Sequence, residues 1–279
     1  MAGGLITAAR QSRIFASVDL PEPVLVPVAG GEVAVFTHRS PEREGPNEDA
    51  AAVIPYGPDA CVLVVADGMG GRPNGADAAR IAVEALRASL DTGLAHGRPI
   101  RTAVLDGIEN ANRTILERAP GAGATLAVAQ IRERTLRPYH VGDAFVLLTG
   151  QRGRLKLQTV AHSPVGYALE SGLLNETEAL AHEQRHFVSN MIGASDMHIT
   201  IGSSLWLAPR DTLLVGSDGL ADNFSTAELI GRIRAGKLAR VAASLAEEGR
   251  ARMVRPAEGH PSKPDDMTFI LYRPLRSRG

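Results

Sequence analysis

The order of its apolar runs is the strongest constraint this sequence places on its fold. Short runs bounded by turn residues, at Val33–Thr37, Ala50–Ile54 and Cys61–Ala66, precede two segments with helical spacing, Ala76–Leu90 behind Asn74 as a cap and Ile100–Arg118. In the second of these, Ile100, Val104, Ile108, Ala111 and Ile115 recur on one face. Strand-like runs return at Leu126–Ile131, Leu136–Val141, Phe145–Thr149 and Leu155–Val160, and again at Ser204–Leu207 and Thr212–Gly216. A capping box, Ser225-Thr226-Ala227-Glu228, then opens a helix to about Arg234, another helix covers Leu238–Met253, and a last strand runs Met267–Tyr272. Strands this close together join as antiparallel hairpins. Strands then helices, repeated, argue for an α+β layering and against a parallel doubly wound sheet.

Residues 1–30, with Pro21, Pro23 and Pro27, read as an extended N-terminal arm or edge strand, and residues 31–274 as a single domain. Within that domain, residues 163–198 are irregular, with a short helix over about Asn175–His182, and suit an excursion over the surface beside a site. Thirty basic residues face 31 acidic ones for a net charge of -1, so no overall field draws the chain to nucleic acid or an anionic membrane. Cys61 is the only cysteine and lies in an apolar run, which excludes an intramolecular disulfide and a thiolate metal cluster. No apolar stretch approaches the roughly 18 residues of a spanning helix. The start lacks a basic segment followed by an apolar one, so a cytoplasmic setting is expected.

Four aspartates sit where apolar strands begin or end. Asp67 closes the Cys61–Ala66 run and Asp218 follows Leu213-Leu214-Val215-Gly216-Ser217, each with glycine next; Asp49 and Asp265 stand just before strands. In antiparallel neighbours the start of one strand lies beside the end of the next, which brings all four to one rim. Clustered carboxylates repel and are costly to desolvate, so their convergence calls for cations. Oxygen donors without cysteine or clustered histidine favour Mg²⁺ or Mn²⁺. Two such ions about 3.5–4 Å apart can activate a shared water and hold phosphate oxygens for in-line attack. An isolated Asp-Gly pair is ordinarily a turn, as Asp106-Gly107 illustrates, and only the joint occurrence carries weight.

The segments Pro46-Asn47-Glu48-Asp49-Ala50, Val65-Ala66-Asp67-Gly68-Met69-Gly70-Gly71, Gly123-Ala124-Thr125, Val141-Gly142-Asp143-Ala144, Gly216-Ser217-Asp218-Gly219-Leu220 and Pro264-Asp265-Asp266-Met267-Thr268 occur in that order. In them the chain resembles the type 2C metal-dependent protein phosphatases, the PPM family, and its bacterial branch in particular. The resemblance implies a four-layer α-β-β-α sandwich of two antiparallel sheets flanked by helices. It also implies hydrolysis of phosphoserine and phosphothreonine on proteins by direct attack of a metal-activated water, opposing a Ser/Thr kinase. By position it gives Asp67 the place between two ions, with Asp218 and Asp265 completing one shell and the Gly68 carbonyl serving the other. Glu48 or Asp49 then holds waters of that second ion, and Asp143 and Asp222 fall where the family has a weaker third metal.

The departures lie in the residues that touch phosphate. The family's phosphate-gripping arginine lies five positions before the Asp of the first motif, where this chain has Glu44; Arg43 and Arg39 are the candidates instead. Met69 follows the Asp-Gly pair where some members carry histidine, leaving protonation of the leaving group to a metal-bound water or another group. Gly142-Asp143-Ala144-Phe145 replaces Gly-Asp-Ser-Arg, and Asp266 replaces an asparagine, where it either tunes metal preference or faces solvent. His162 is assigned a structural role. The displaced arginine and altered Gly-Asp motif support the alternative, a weakly active or inactive phosphatase-like binding module.

Overall fold

The protein is described as a computed structural model over residues 11–28, 30–69, 74–256 and 259–275. In chain order it begins with strands β1 (Arg13–Ala16), β2 (Val24–Val28), β3 (Gly31–His38), β4 (Asp49–Tyr56) and β5 (Ala60–Gly68), then helices α1 (Gly75–Ala95) and α2 (Ile100–Arg118). Strands β6 (Ala124–Arg132), β7 (Thr135–Val141), β8 (Phe145–Thr149) and β9 (Leu155–Gln158) follow, with short helices α3 (Pro164–Glu170) and α4 (Glu176–Leu180). The chain ends with β10 (Thr200–Ile201), β11 (Leu205–Trp206), β12 (Thr212–Gly216), helices α5 (Asp218–Ala221), α6 (Thr226–Ile233) and α7 (Leu238–Val254), and β13 (Met267–Pro274).

Two antiparallel sheets result. One runs β1-β4-β5-β6-β7-β10, with β11 also on β7, and the other runs β2-β3-β13-β12-β8-β9. Three apolar layers explain the stacking. Ala60, Val62, Val64 and Ala66 of β5 pack toward α1 and α2, while Cys61, Leu63 and Val65 of the same strand pack against the other sheet. Both faces of β5 are covered, which is why its sequence is a continuous apolar run and not an alternation. On the far side, Met267, Phe269 and Leu271 of β13 join Leu229, Leu238 and Leu245 of α6 and α7 in the third layer. The order is helix, sheet, sheet, helix, as the resemblance implied.

Helix α2 and strands β8 and β12 have the bounds expected from their periodicity, and Ser225 and Glu228 form the expected capping box of α6. In the stretch before residue 31 the edge-strand alternative holds at β1 and β2: β1 pairs with β4 and β2 with β3, giving each sheet an edge strand. Other expectations need correction. Asn74 precedes α1 in the left-handed conformation and its side chain caps nothing. The excursion of residues 163–198 is more ordered than its composition suggests. Ser163 caps α3, Asn175 and Glu178 box α4, and the main chain of Ile192 pairs with Ala124 in the sheet. Residues 1–10, part of the expected arm, and Gly70 and Gly71 of the Asp-Gly-Met-Gly-Gly segment lie outside the described residues.

Candidate metal centre

Register places the acids. Asp49 of β4 is the direct partner of Asp67 of β5, and Asp67 is in turn the partner of Thr125 of β6, so three oxygen-bearing side chains stand in one row across the first sheet. In the second sheet the end of β12 pairs with the start of β13, which puts Asp218, opening α5, beside Asp265. Two glycines permit the close approach. A Cβ on Gly68 would lie 2.3 Å from the Gly75 carbonyl oxygen and 2.6 Å from that of Glu48; one on Gly219 would lie 2.0 Å from the Asp266 carbonyl oxygen. No side chain fits either position without moving backbone. Below the rim a buried polar relay joins the sheets. The Thr268 N–H donates to Ser217 Oγ (3.0 Å), whose hydroxyl donates to Asp49 Oδ2 (2.8 Å).

Carboxylate oxygens of Asp218, Asp222 and Asp265 lie within 4.8 Å of one another. Asp67 faces the same place, with Asp218 its strongest charged neighbour. Burial first, and then Asp218 and Asp49, hold the Asp67 carboxyl well above the usual carboxylate range; burial and then Asp266 do the same for Asp49. Burial, then Asp218 and Asp222, push Asp143 up to about 7, and Asp265 and Glu48 are also raised, burial leading. This is the electrostatics of a site built to hold cations. Asp49 Oδ1 and Thr125 Oγ1, the atoms flanking Asp67 in its row, are buried without a hydrogen-bond partner. Unpaired buried oxygens around crowded carboxylates fit a hard divalent ion coordinated by oxygen.

Arg43 reaches the rim despite its shifted position in the sequence. Its Nη1 is bonded to Glu48 Oε2 and lies 3.2 Å from Asp266 Oδ2, with Asp265 and Asp67 close enough to raise its pKa against the effect of burial. Arg39 is engaged elsewhere, with Asp19 (3.3 Å) and the Gly45 carbonyl (3.2 Å). Asp266 does not face solvent. It is 4% exposed and accepts from the backbone N–H of Ser40 (2.7 Å) and Glu48 (2.6 Å) as well as from Arg43. The acid that replaces asparagine thus ties the first motif to the last.

Asp222 belongs with Asp218 and Asp265 at the cluster, and Asp143 senses both Asp218 and Asp222 through their charges. Lys263 carries no signal in the sequence beyond standing two residues before Asp265, yet its Nζ lies 2.6 Å from Asp222 Oδ2, 3.0 Å from Asp265 Oδ2 and 3.3 Å from Asp218 Oδ2. Arg185, from the excursion, has its Nε 4.0 Å from Asp222 and donates to the Leu180 carbonyl. Arg185 is distant in sequence from Asp222, and Lys263 from Asp218 and Asp222, so only the fold reveals these meetings. His162 is a buried support. It bonds the Gly142 N–H (3.1 Å) and Thr200 Oγ1 (2.9 Å) and stacks between His140 and His198. Burial, then those two rings, lower its pKa to about 4, so it stands neutral there.

Comparison with known proteins converges on one family. The family model described as Protein phosphatase 2C matches residues 39–255. A putative protein phosphatase 2C-type of Streptococcus pyogenes serotype M6 is 31% identical over 176 residues, 61% of this chain and 71% of that protein. Protein phosphatase PhpP of Streptococcus pneumoniae is 32% identical over 175 residues, 60% of this chain and 70% of that one. Among solved structures, the serine/threonine phosphatase of S. agalactiae superposes with a TM-score of 0.73 at 25% identity, covering 88% of this chain and all (100%) of that one. The catalytic domain of the phosphatase PstP, solved in complex with 2 manganese ions, shares the fold with a TM-score of 0.68 at 22% identity, over 88% of this chain and 98% of that one.

Proposed function

This chain belongs to the protein phosphatase 2C family, and from that premise we propose how its rim works: Asp67, Asp218 and Asp265 hold one divalent ion, and Asp67 and the Gly68 carbonyl a second. Its activity is that of a metal-dependent phosphatase acting on phosphoserine and phosphothreonine in proteins. Bound there, Mn²⁺ or Mg²⁺ supplies an activated water for direct attack and neutralises charge on the phosphate oxygens. Glu48 or Asp49 would hold waters of the second ion, and Asp143 with Asp222 would offer a weaker third position. Arg43, a third exposed and fixed through Glu48 and Asp266, has guanidinium N–H groups left over for a phosphate oxygen. A cytoplasmic Ser/Thr kinase is the partner whose work this activity reverses.

The single observation that carries the assignment is the row Asp49, Asp67, Thr125, with two orphaned buried oxygens, opposite Asp218 and Asp265 of the other sheet. The non-catalytic alternative drew its support from the displaced arginine and the altered Gly142-Asp143-Ala144-Phe145 motif; Arg43 is at the rim, and Asp143 still lies among the acids, raised by Asp218 and Asp222 after burial. Hydrolysis of a phosphothreonine peptide with Mn²⁺, with Mg²⁺ and with excess chelator, beside Asp218→Asn, tests the assignment. Turnover should require metal and fall by about a hundredfold or more in the variant, since a ligand that would hold the charge-stabilising ion is lost. Unchanged turnover in the variant would remove Asp218 from the site.

A further inference from the structure

We propose that Lys263 is a resident cation of this centre: its ammonium occupies the Asp218, Asp222 and Asp265 cluster, and a divalent ion loads there only by displacing it. The inference rests on the reading of these acids as metal ligands. It adds that this chain carries its own competitor for them.

Three observations support it. First, the Nζ distances of 2.6, 3.0 and 3.3 Å engage one oxygen from each of the three acids, which come from both ends of α5 and from the loop before β13. An ammonium has three N–H donors and no acceptor, so three converging carboxylates satisfy it fully. Second, the lysine is aimed. The fully buried Asn223 donates to the Lys263 carbonyl (2.8 Å) and accepts from the Lys263 N–H (3.1 Å), while its Nδ2 also bonds the Gly219 carbonyl (2.8 Å). A buried amide committed to one residue's main chain, with Pro264 next, sets where that side chain starts. Third, the neighbouring cations are engaged: Arg43 serves Glu48 and Asp266, and Arg185 reaches Asp222 only at 4.0 Å. Lys263 is thus the basic group that bridges all three acids among the described residues.

The consequence divides the centre. Among the described residues no lysine or arginine is paired with Asp67, so the position formed by Asp67 and the Gly68 carbonyl loads without displacing one. Occupancy at Asp218, Asp222 and Asp265 is reduced by the fraction of time the ammonium holds them. In the metal-free protein the same ammonium offsets repulsion among the acids, so the rim stays assembled without ions.

Mn²⁺ titration by calorimetry, with ion counting by native mass spectrometry, on wild type, Lys263→Met and Lys263→Arg tests this without reference to turnover. Lys263→Met keeps the apolar stem and removes the charge. Its Mn²⁺ site that takes Asp218, Asp222 and Asp265 should tighten roughly tenfold, the factor expected if the ammonium closes the cluster about nine-tenths of the time; Lys263→Arg should show no tightening. In chelator Lys263→Met should melt below wild type, with the gap closing in saturating Mn²⁺. Should Lys263→Met fold only with metal, it is prepared in Mn²⁺, and slower release of that ion to chelator is the expected result. Equal ion number, affinity and release rate in wild type and Lys263→Met would overturn the inference while leaving the metal centre intact. Absence of Mn²⁺ binding in every variant would overturn the metal centre, and the inference with it.

Discussion

Removing the Asp266 carboxylate should loosen the rim without touching any proposed ligand. Two backbone N–H groups, of Ser40 and Glu48, and the Arg43 guanidinium depend on it. A buried donor that loses a charged partner costs about 1.5–3 kcal/mol. Asp266→Ala should therefore lose about 2–4 kcal/mol in urea unfolding, and Asp266→Asn less, because one amide oxygen still accepts. A loss under about 0.5 kcal/mol for Asp266→Ala, the usual range of a neutral surface change, would show that the clamp contributes nothing. At this scale the sequence was legible where a residue's own neighbours define it. Asp67 and Asp218 stand beside glycine at the end of apolar runs. Asp266 and Lys263 act on residues brought close only by the pairing of β13 with β3 and by the turn after α7, and no local pattern announces that.

The elements divide in the same way. Strands covered on both faces and helices with one apolar stripe were readable, because burial itself writes the pattern. The excursion of residues 163–198 was read as irregular because its order comes from caps and from tertiary anchors. Asn190 bonds His162 (2.8 Å) and the His198 carbonyl (2.7 Å), and the Gly193 N–H reaches Asn112 (2.6 Å). Those anchors leave residues 164–188 as the part that can be exchanged. Val165, Leu169, Ala179, Leu180 and Arg185 there line a cleft with Asp143, Asp218 and Asp222, and Tyr167, Leu173 and Phe187 are exposed nearby. A large flanking peptide would reach these side chains and a small aryl phosphate would not. Grafting residues 164–188 from another family member, with Arg185 kept beside Asp222, should shift preference among phosphopeptides several-fold while aryl phosphate turnover stays within about twofold, as expected when remote binding is separated from chemistry. Equal losses on both substrates would deny the excursion a role in selection.

For the whole molecule the rim is an electrostatic load that two sheets hold together, and its pH dependence follows from the direction of each shift. Asp143, at about 7, and Asp49, Asp67, Asp265 and Glu48, also raised, keep protons in the folded state that the unfolded chain releases near pH 4. Their contribution is fully present below the unfolded range near pH 4 and is lost as pH rises through each group's folded value, which for Asp143 is about 7. His162 works oppositely: held neutral with a pKa of about 4, it contributes stability above its unfolded value near 6.5, which is lost as pH falls through that window. Each titrating group changes stability by about 1.4 kcal/mol per pH unit within its window, and Asp143, Asp49 and Asp67, the last two held well above the usual range, outnumber His162 and His140, which is also lowered. The metal-free protein should therefore melt lower at pH 7.5 than at pH 5.5. Divalent ions replace the departing protons, so the stabilisation by Mn²⁺ should grow over the same interval, with Asp143→Asn flattening the metal-free slope. Differential scanning calorimetry at both pH values, with chelator and with Mn²⁺, decides it: a metal-free melting temperature that rises with pH would mean that the acids are already ionised at pH 5.5, with Lys263 and Arg43 compensating their charge without any metal.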